Sequence, residues 1–255
     1  MHSIKTISNN RIKEIVKLHQ KKYRDESGLY IAEGFKVLEE LLIAKAEIIE
    51  VIALKNTDTN KINFPITFVD EATMKKISTT DTICEIITIA KKRIIELNEF
   101  KKSEKIILLD SISDPGNLGT IIRSAAAFGI DGIILYGNCV DLYSPKVIRS
   151  ATGNLLKTPI IQIKNKNELE QHFQSHTKIA TALSKENNIS LKDCAKLEKC
   201  IIMLGSEAKG LCKELTDFAE KNIRLEMKND VESLNLSVSA SIILYELFTQ
   251  KNNVM

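Results

Sequence analysis

Several common signatures are missing from this 255-residue chain, and each absence closes a line of interpretation. Its five cysteines, Cys84, Cys139, Cys194, Cys200 and Cys212, are odd in number and form no C-x-x-C pair. That pattern argues against a disulfide framework and a zinc site, and it fits free thiols in a reducing compartment. No apolar run reaches the length of a membrane span, about eighteen residues. The start, MHSIKTISNNRIKEIVKLHQ, stays polar and lacks the apolar stretch of a secretory signal, so a cytoplasmic protein is expected. A P-loop would need G-K-[ST], which is absent, and a dinucleotide site would need G-x-G-x-x-G, of which only Gly116-x-x-Gly119 is present. Tandem repeats and low-complexity segments are also lacking.

What the chain does have is 44% hydrophobic content, enough for one large core or two modest ones, and its length favours two domains. The net charge of +3 identifies no partner, but its distribution is uneven. Residues 1–24 hold Lys5, Arg11, Lys13, Lys17, Lys21, Lys22 and Arg24 against a single acid, Glu14. Such a segment would attract a phosphate backbone in a salt-dependent way. It fits equally the solvated face of an amphipathic helix with Ile12, Ile15, Val16 and Leu18 turned inward.

The polar stretch NEFKKSEK at 98–105 reads as a linker between a domain at 1–100 and another at 105–255. Upstream, periodicity predicts helices over 11–22, 34–44 and 71–77 and strands over 29–32, 48–54, 66–69 and 85–90. Downstream, short apolar strands at 106–109, 132–136, 159–163, 179–183, 200–205 and 223–227 alternate with helical patterns. The class is α/β, with a parallel sheet covered on both faces.

Three blocks stand where a strand gives way to a helix, the place at which open α/β sheets put their ligand sites: DPGNLGTIIRSAAAFG from Asp114, LGSEAKGL from Leu204 and SLNLSVSASIILYE from Ser233. In the first, Pro115 and Gly116 make a turn, Asn117 stands at an N-cap position and Gly129 closes the helix. Arg123 is what this account leaves over. Among Leu118, Ile121, Ile122 and Ala125 it needs a partner, and a structural salt bridge would provide one. In the second block, Gly205 fits a close backbone approach to a ligand. Glu207 falls just before a helix expected to open near Ala208, where the macrodipole alone would favour it. In the third, Ser233 and Asn235 both stand at a helix start, and capping accounts for only one of them.

In order, spacing and residue choice, the blocks resemble the SpoU (TrmH-like) family of RNA ribose 2′-O-methyltransferases, within the SPOUT superfamily, from Lys105 to the C-terminus. The resemblance implies a SPOUT-type parallel sheet with a deep trefoil knot, a feature no periodicity would suggest. It also implies S-adenosyl-L-methionine as cofactor, no metal, and a homodimer. Asn117, Arg123, Glu207, Ser233 and Asn235 then match the active site, and Leu183, Leu204, Gly205, Leu225, Met227, Leu234 and Ser237 the cofactor pocket. A guanidinium is a poor general base. Arg123 is therefore expected to grip the phosphate beside the target ribose and to lower the pKa of the 2′-hydroxyl electrostatically. No histidine replaces it: His2 and His19 lie in the basic segment, and His172 and His176 are expected on a polar helix away from the blocks.

DLYSPKVIRSATGNLLKTPI from Asp141 also resembles the family, making Lys146 and Arg149 candidate RNA phosphate contacts. GLYIAEGFKVLEELL from Gly28 resembles the ribosomal-protein-like substrate-binding domain of many SpoU proteins, although Glu33 and Gly34 read better as a tight start to a helix. With it, Lys13, Lys17 and Lys21 become RNA candidates, and ribosomal RNA is favoured over transfer RNA. The chain departs from the family pattern at Ala208 and Asn229, usually glycines, and at Glu226, usually proline. The rival reading is a protein of the same fold that binds RNA without turnover. Glu226 and Asn229 favour that rival; the intact active-site residues oppose it.

Overall fold

A computed structural model describes residues 7–60, 62–181, 187–228 and 233–252, and the chain divides into two compact units. The first comprises Met1–Ile94 together with Asp141–Leu156, the second Ile95–Val140 together with Lys157–Met255. The units are therefore not two consecutive stretches of chain.

The first unit runs α1 (Asn9–Lys17), α2 (Lys21–Ser27), β1 (Leu29–Glu33), α3 (Phe35–Ile43), β2 (Ile48–Leu54), β3 (Ile66–Val69), α4 (Glu71–Ile77) and β4 (Ile86–Lys91). Its four strands lie in the order β1-β4-β2-β3, with β4 antiparallel to both neighbours and β3 parallel to β2. The single helix expected over 11–22 is two helices, and a side chain explains the break. The Arg24 guanidinium donates to the carbonyls of Leu18 and His19 at 2.7 and 2.8 Å, satisfying acceptors that helix continuation would otherwise need. Ile15 and Leu18 are buried as expected, while Val16 is 37% exposed.

The second unit continues with β5 (Lys105–Asp110), α5 (Pro115–Ala127) and β6 (Gly132–Tyr136). Helix α6 (Pro145–Ser150) belongs to the first unit, and the second resumes with β7 (Ile160–Ile163), α7 (Lys166–His172), β8 (Thr177–Thr181), α8 (Leu191–Lys196), β9 (Cys200–Leu204), α9 (Lys213–Phe218), β10 (Lys221–Ile223) and α10 (Leu236–Asn252). Six parallel strands lie in the order β10-β8-β9-β5-β6-β7, the α/β parallel sheet that the short apolar runs predict. Three local expectations change. The stretch at 98–105 is no free linker, because Phe100 is 2% exposed and packs edge-on against Phe173 in the core of the second unit. Burying such a ring stabilises by roughly 1.5–3 kcal/mol. The last strand stops at Ile223, so Arg224–Met227 leave the sheet. His176 is buried outside any helix, bonded to the Ser103 carbonyl, and desolvation holds its pKa below the usual value. No helix among the described residues is long and apolar enough to cross a membrane.

Within the first unit, the segment around α6 is held by polar bonds to two buried side chains, Arg24 and Glu33. Arg24, 3% exposed, donates from Nε and Nη2 to Asp141 Oδ2 at 2.9 and 2.5 Å. Glu33 accepts from Ser78 Oγ, the Thr79 amide and hydroxyl, and Arg149 Nη1 at 2.9, 2.6, 2.6 and 2.8 Å. Removing one member of a buried charged pair leaves the other uncompensated, at a cost of about 3–5 kcal/mol. Glu33 and Arg149 thus have a structural explanation in each other.

Candidate active site

The N-cap of α5 is Asp114, not Asn117. Its Oδ1 accepts from the Asn117 amide at 2.7 Å and Pro115 occupies the first helical turn, which places Asn117 three residues inside. The Asn117 side chain is thereby released from capping. Its Nδ2 donates to Glu207 Oε1 at 2.6 Å and its Oδ1 accepts from Asn235 Nδ2 at 3.1 Å. Gly129, at φ +63°, closes the helix as the sequence suggests.

Asn235 does two things at once. Its Oδ1 caps α10, accepting from the Ser237 and Val238 amides at 2.9 and 3.3 Å and from Ser237 Oγ at 2.7 Å. That fixes which end of the amide faces outward, so Nδ2 meets Asn117 and also Glu207 Oε1 at 3.1 Å. Glu207 Oε1 takes a further bond from the Leu236 amide at 3.4 Å, a backbone donor in the first turn of α10. The three blocks therefore converge on one carboxylate oxygen. The helix expected at Ala208 does not form: 207–209 are a turn and α9 opens only at Lys213. Glu207 owes its place to the two asparagines and to α10.

Gly205 is required by the protein's own backbone. A Cβ there would lie 1.9 Å from the Gly210 carbonyl carbon and 2.1 Å from the Leu211 nitrogen. The loop folds back because the Gly210 amide donates to the Ser206 carbonyl at 2.8 Å with Gly210 at φ +65°. The turn thus closes through Gly210, and Ala208 is exposed in it, so the missing glycine at 208 leaves the loop intact.

A cavity of about 320 Å³ opens where β8, β9 and β10 end, the carboxyl edge of the sheet. Leu204, Gly205, Leu225, Met227 and Leu234 line it, with Ser233 and Glu207. Leu183 lies outside the described residues, as does Asn229. Ser237 is not on this wall; it is buried against Asn235. Glu226 is exposed and does not line the cavity. Sequence reasoning missed Thr181, whose hydroxyl donates to the Met203 carbonyl at 3.0 Å, and Arg224, which lines the same cavity. The strands expected over 179–183 and 223–227 set both residues inside a strand, whereas β8 ends at Thr181 and β10 at Ile223, which puts both at the carboxyl edge.

Arg123 is exposed and has no hydrogen-bond or ion-pair partner among the described residues. The salt bridge that would have explained it structurally is absent there. Lys13, Lys17, Lys21 and Lys146 are exposed too, and Lys17 lies 5.4 Å from the Tyr23 ring centroid. On α10, Val238, Ile242, Tyr245 and Phe248 form an exposed apolar row, with Tyr245 at 54%, beside Phe128.

A parallel α/β unit with two asparagines and a glutamate converging beside a cavity at its carboxyl edge defines a class, and comparison with known proteins places the chain in it. Residues 104–245 match the SpoU rRNA Methylase family and residues 9–88 the MRM3-like substrate binding domain. The chain belongs to the SpoU rRNA methylase family. It is similar to the 23S rRNA (guanosine(2553)-2′-O)-methyltransferase RlmP of Bacillus subtilis, 26% identical over 251 residues, covering 97% of this chain and 99% of that protein. The AdoMet-bound rRNA methyltransferase of Sinorhizobium meliloti is 27% identical, with a TM-score of 0.83 over 99% of this chain and 98% of that one. AviRb of Streptomyces viridochromogenes, at 19% identity, shares the fold with a TM-score of 0.84 over 96% of this chain and 99% of its own.

Proposed function

We propose that the protein transfers the methyl group of S-adenosyl-L-methionine to a ribose 2′-hydroxyl of RNA, with ribosomal RNA favoured over transfer RNA. The observation that carries this reading is the convergence of Asn117, Glu207 and Asn235, from three separate parts of the chain, beside the cavity at the strand ends. The cavity fits the cofactor: its volume lies at the lower end of the roughly 300–1,000 Å³ of small-molecule sites, and its leucine-rich walls suit the flat faces of an adenine ring. When bound, S-adenosylmethionine supplies a methyl group already activated for transfer. The protein's task is then alignment.

The residues divide that task. Asn117, Asn235 and the α10 amide hold the Glu207 carboxylate in one orientation at the cavity wall, where negative charge favours a cationic cofactor. Arg123, free of partners among the described residues, grips an RNA phosphate with its planar fork and lowers the pKa of the neighbouring 2′-hydroxyl, whose proton passes to the phosphate or to water. Ser233 stands at the same wall, and Ser237 acts through Asn235. The exposed apolar row of α10 supports a homodimer, and family membership supports the trefoil knot and a cytoplasmic location. Calorimetric titration with S-adenosylmethionine followed by radiolabelled methyl incorporation into ribosomal RNA tests the activity. Binding without incorporation would favour the non-catalytic reading.

Asn235 allows capping and catalysis to be separated. Asn235→Ser keeps a capping oxygen and removes both amide donors, so stability should remain within about 0.5 kcal/mol of wild type, while Asn235→Ala should lose about 1 kcal/mol. Methyl transfer should fall at least tenfold in both. Denaturant melts and initial rates measure the two effects, and a normal rate in Asn235→Ser would remove Asn235 from the active site.

RNA binding by the first unit is supported by its exposed lysines and its match to a substrate binding domain. Arg149, bound to Glu33, leaves Lys146 as the exposed cation of α6. Deleting residues 1–100 would strip Asp141–Leu156 of Arg24 and Glu33, so charge reversal is the cleaner test. Lys13→Glu, Lys17→Glu and Lys21→Glu together should weaken RNA binding and flatten the plot of log affinity against log salt by about 0.7–0.9 for each phosphate no longer neutralised. An unchanged slope would make these lysines a solvated helix face.

A further inference from the structure

Strand β5 ends at Asp110, a carboxylate only 2% exposed whose two oxygens serve two different loops. Oδ1 accepts from Ser111 Oγ at 2.8 Å, and Oδ2 accepts from the Cys212 amide at 2.7 Å. Ser111 opens the loop that leads to Asp114 and Asn117. Its backbone sits in the left-handed region at φ 54°, unusual for serine, and its amide is held by the Tyr136 carbonyl at 2.9 Å. Cys212 leaves the loop that carries Glu207. The other end of that loop is fixed by the same strand, because Leu109 pairs with Leu204. Gly137 keeps the space clear: a Cβ there would stand 2.7 Å from Ser111 Oγ and 3.3 Å from Asp110 Oδ1.

The end of β5 thus holds the start of the Asn117 loop and both ends of the Glu207 loop. We propose that Asp110 is a positioning residue that sets the 2.6 Å bond between Asn117 and Glu207. The inference rests on the activity proposed above. A carboxylate suits this place because each oxygen can accept from a separate donor, a backbone amide on one side and a hydroxyl on the other. Asparagine could keep both contacts by accepting from the Cys212 amide and donating to Ser111 Oγ, whereas alanine removes both acceptors and releases both loops.

A double-mutant cycle of Asp110→Ala with Glu207→Ala tests this, read as the single-turnover rate of methyl transfer to ribosomal RNA at saturating cofactor. Asp110→Ala should slow transfer about tenfold or more, and the double variant should be no slower than Glu207→Ala alone to within about twofold, because Asp110 acts through the Asn117–Glu207 bond, which Glu207→Ala has already removed. Multiplicative losses would overturn the proposal, since a general structural role adds to any other defect. Tyr136→Phe removes the Tyr136–Glu214 bond near the same sheet edge while leaving both Asp110 bonds, and its rate should remain within about twofold of wild type. If Asp110→Ala does not fold, Ser111→Ala releases the Asn117 loop alone and should show the same non-additivity with Glu207→Ala. Amide exchange supplies a readout that needs no activity: relative to wild type, exchange should rise at 111–114 and 206–212 in Asp110→Ala and at 111–114 in Ser111→Ala. Faster exchange at neither segment would contradict the proposal. Wild-type protein that transfers no methyl group would contradict the proposed activity instead, and exchange would then decide the role of Asp110 alone.

Discussion

Arg123→Ala should slow methyl transfer by at least about a hundredfold while leaving S-adenosylmethionine affinity within about threefold. The size of the effect follows from where the side chain is. It is exposed, has no partner among the described residues, and lies outside the cavity lining, so its loss removes no structural bond and no cofactor contact there. Thermal stability should therefore be unchanged. Arg123→Lys should also be poorly active, because an ammonium is a point charge and cannot reproduce a bidentate fork on phosphate. Rates at saturating cofactor and RNA, together with calorimetric affinities, separate the outcomes. A large loss of cofactor affinity with a normal rate at saturation would assign Arg123 to the wrong ligand.

Gly205→Ala should act at the opposite point, on the cofactor. The added methyl would sit 1.9 Å from a backbone carbon, and a backbone cannot swing aside as the end of a flexible side chain can. The loop must shift, taking with it the cavity wall formed by Gly205, Ser206, Glu207 and Gly210. Cofactor affinity should fall by about a hundredfold or more, equivalent to about 2.7 kcal/mol. Ala208→Gly, which restores the family's usual residue in the exposed part of the turn, should change affinity by less than about threefold. Equal effects from the two substitutions would mean that the close approach at Gly205 is not what shapes the site.

Much of this molecule was legible in its sequence where the signal was local. Short apolar runs revealed the parallel sheet, and Gly129 marked a helix end. The three blocks resembled the family to which the chain belongs. What was misread depends on partners far away in the chain. The break between α1 and α2 is supplied by Arg24, whose own charge is matched by Asp141, and neither periodicity nor turn residues mark it. Arg149 looked like a surface cation because its partner, Glu33, is 116 residues away. The polar letters around Phe100 hid a core aromatic. At Asn117 the error was avoidable: Asp, Pro and Gly at 114–116 already spell an N-cap followed by a proline in the first turn, which assigns capping to Asp114 and frees the asparagine. Glu207 was placed in the right site for an incomplete reason, since its carboxylate is held by two amides no sequence spacing could bring together.

The most direct test of the account is the identity of the methylated nucleoside. Ribosomal RNA from cells lacking the protein should be incubated with the purified protein and S-adenosylmethionine bearing a heavy methyl group, then digested to nucleosides and analysed by mass spectrometry. The label is predicted in a single ribose-methylated nucleoside, recognisable because loss of the sugar carries the extra mass away from the base, and it should be absent with Arg123→Ala. Label retained on a base, or none transferred by a protein that binds the cofactor, would contradict the assignment of Arg123, Asn117 and Glu207 to a ribose 2′-hydroxyl.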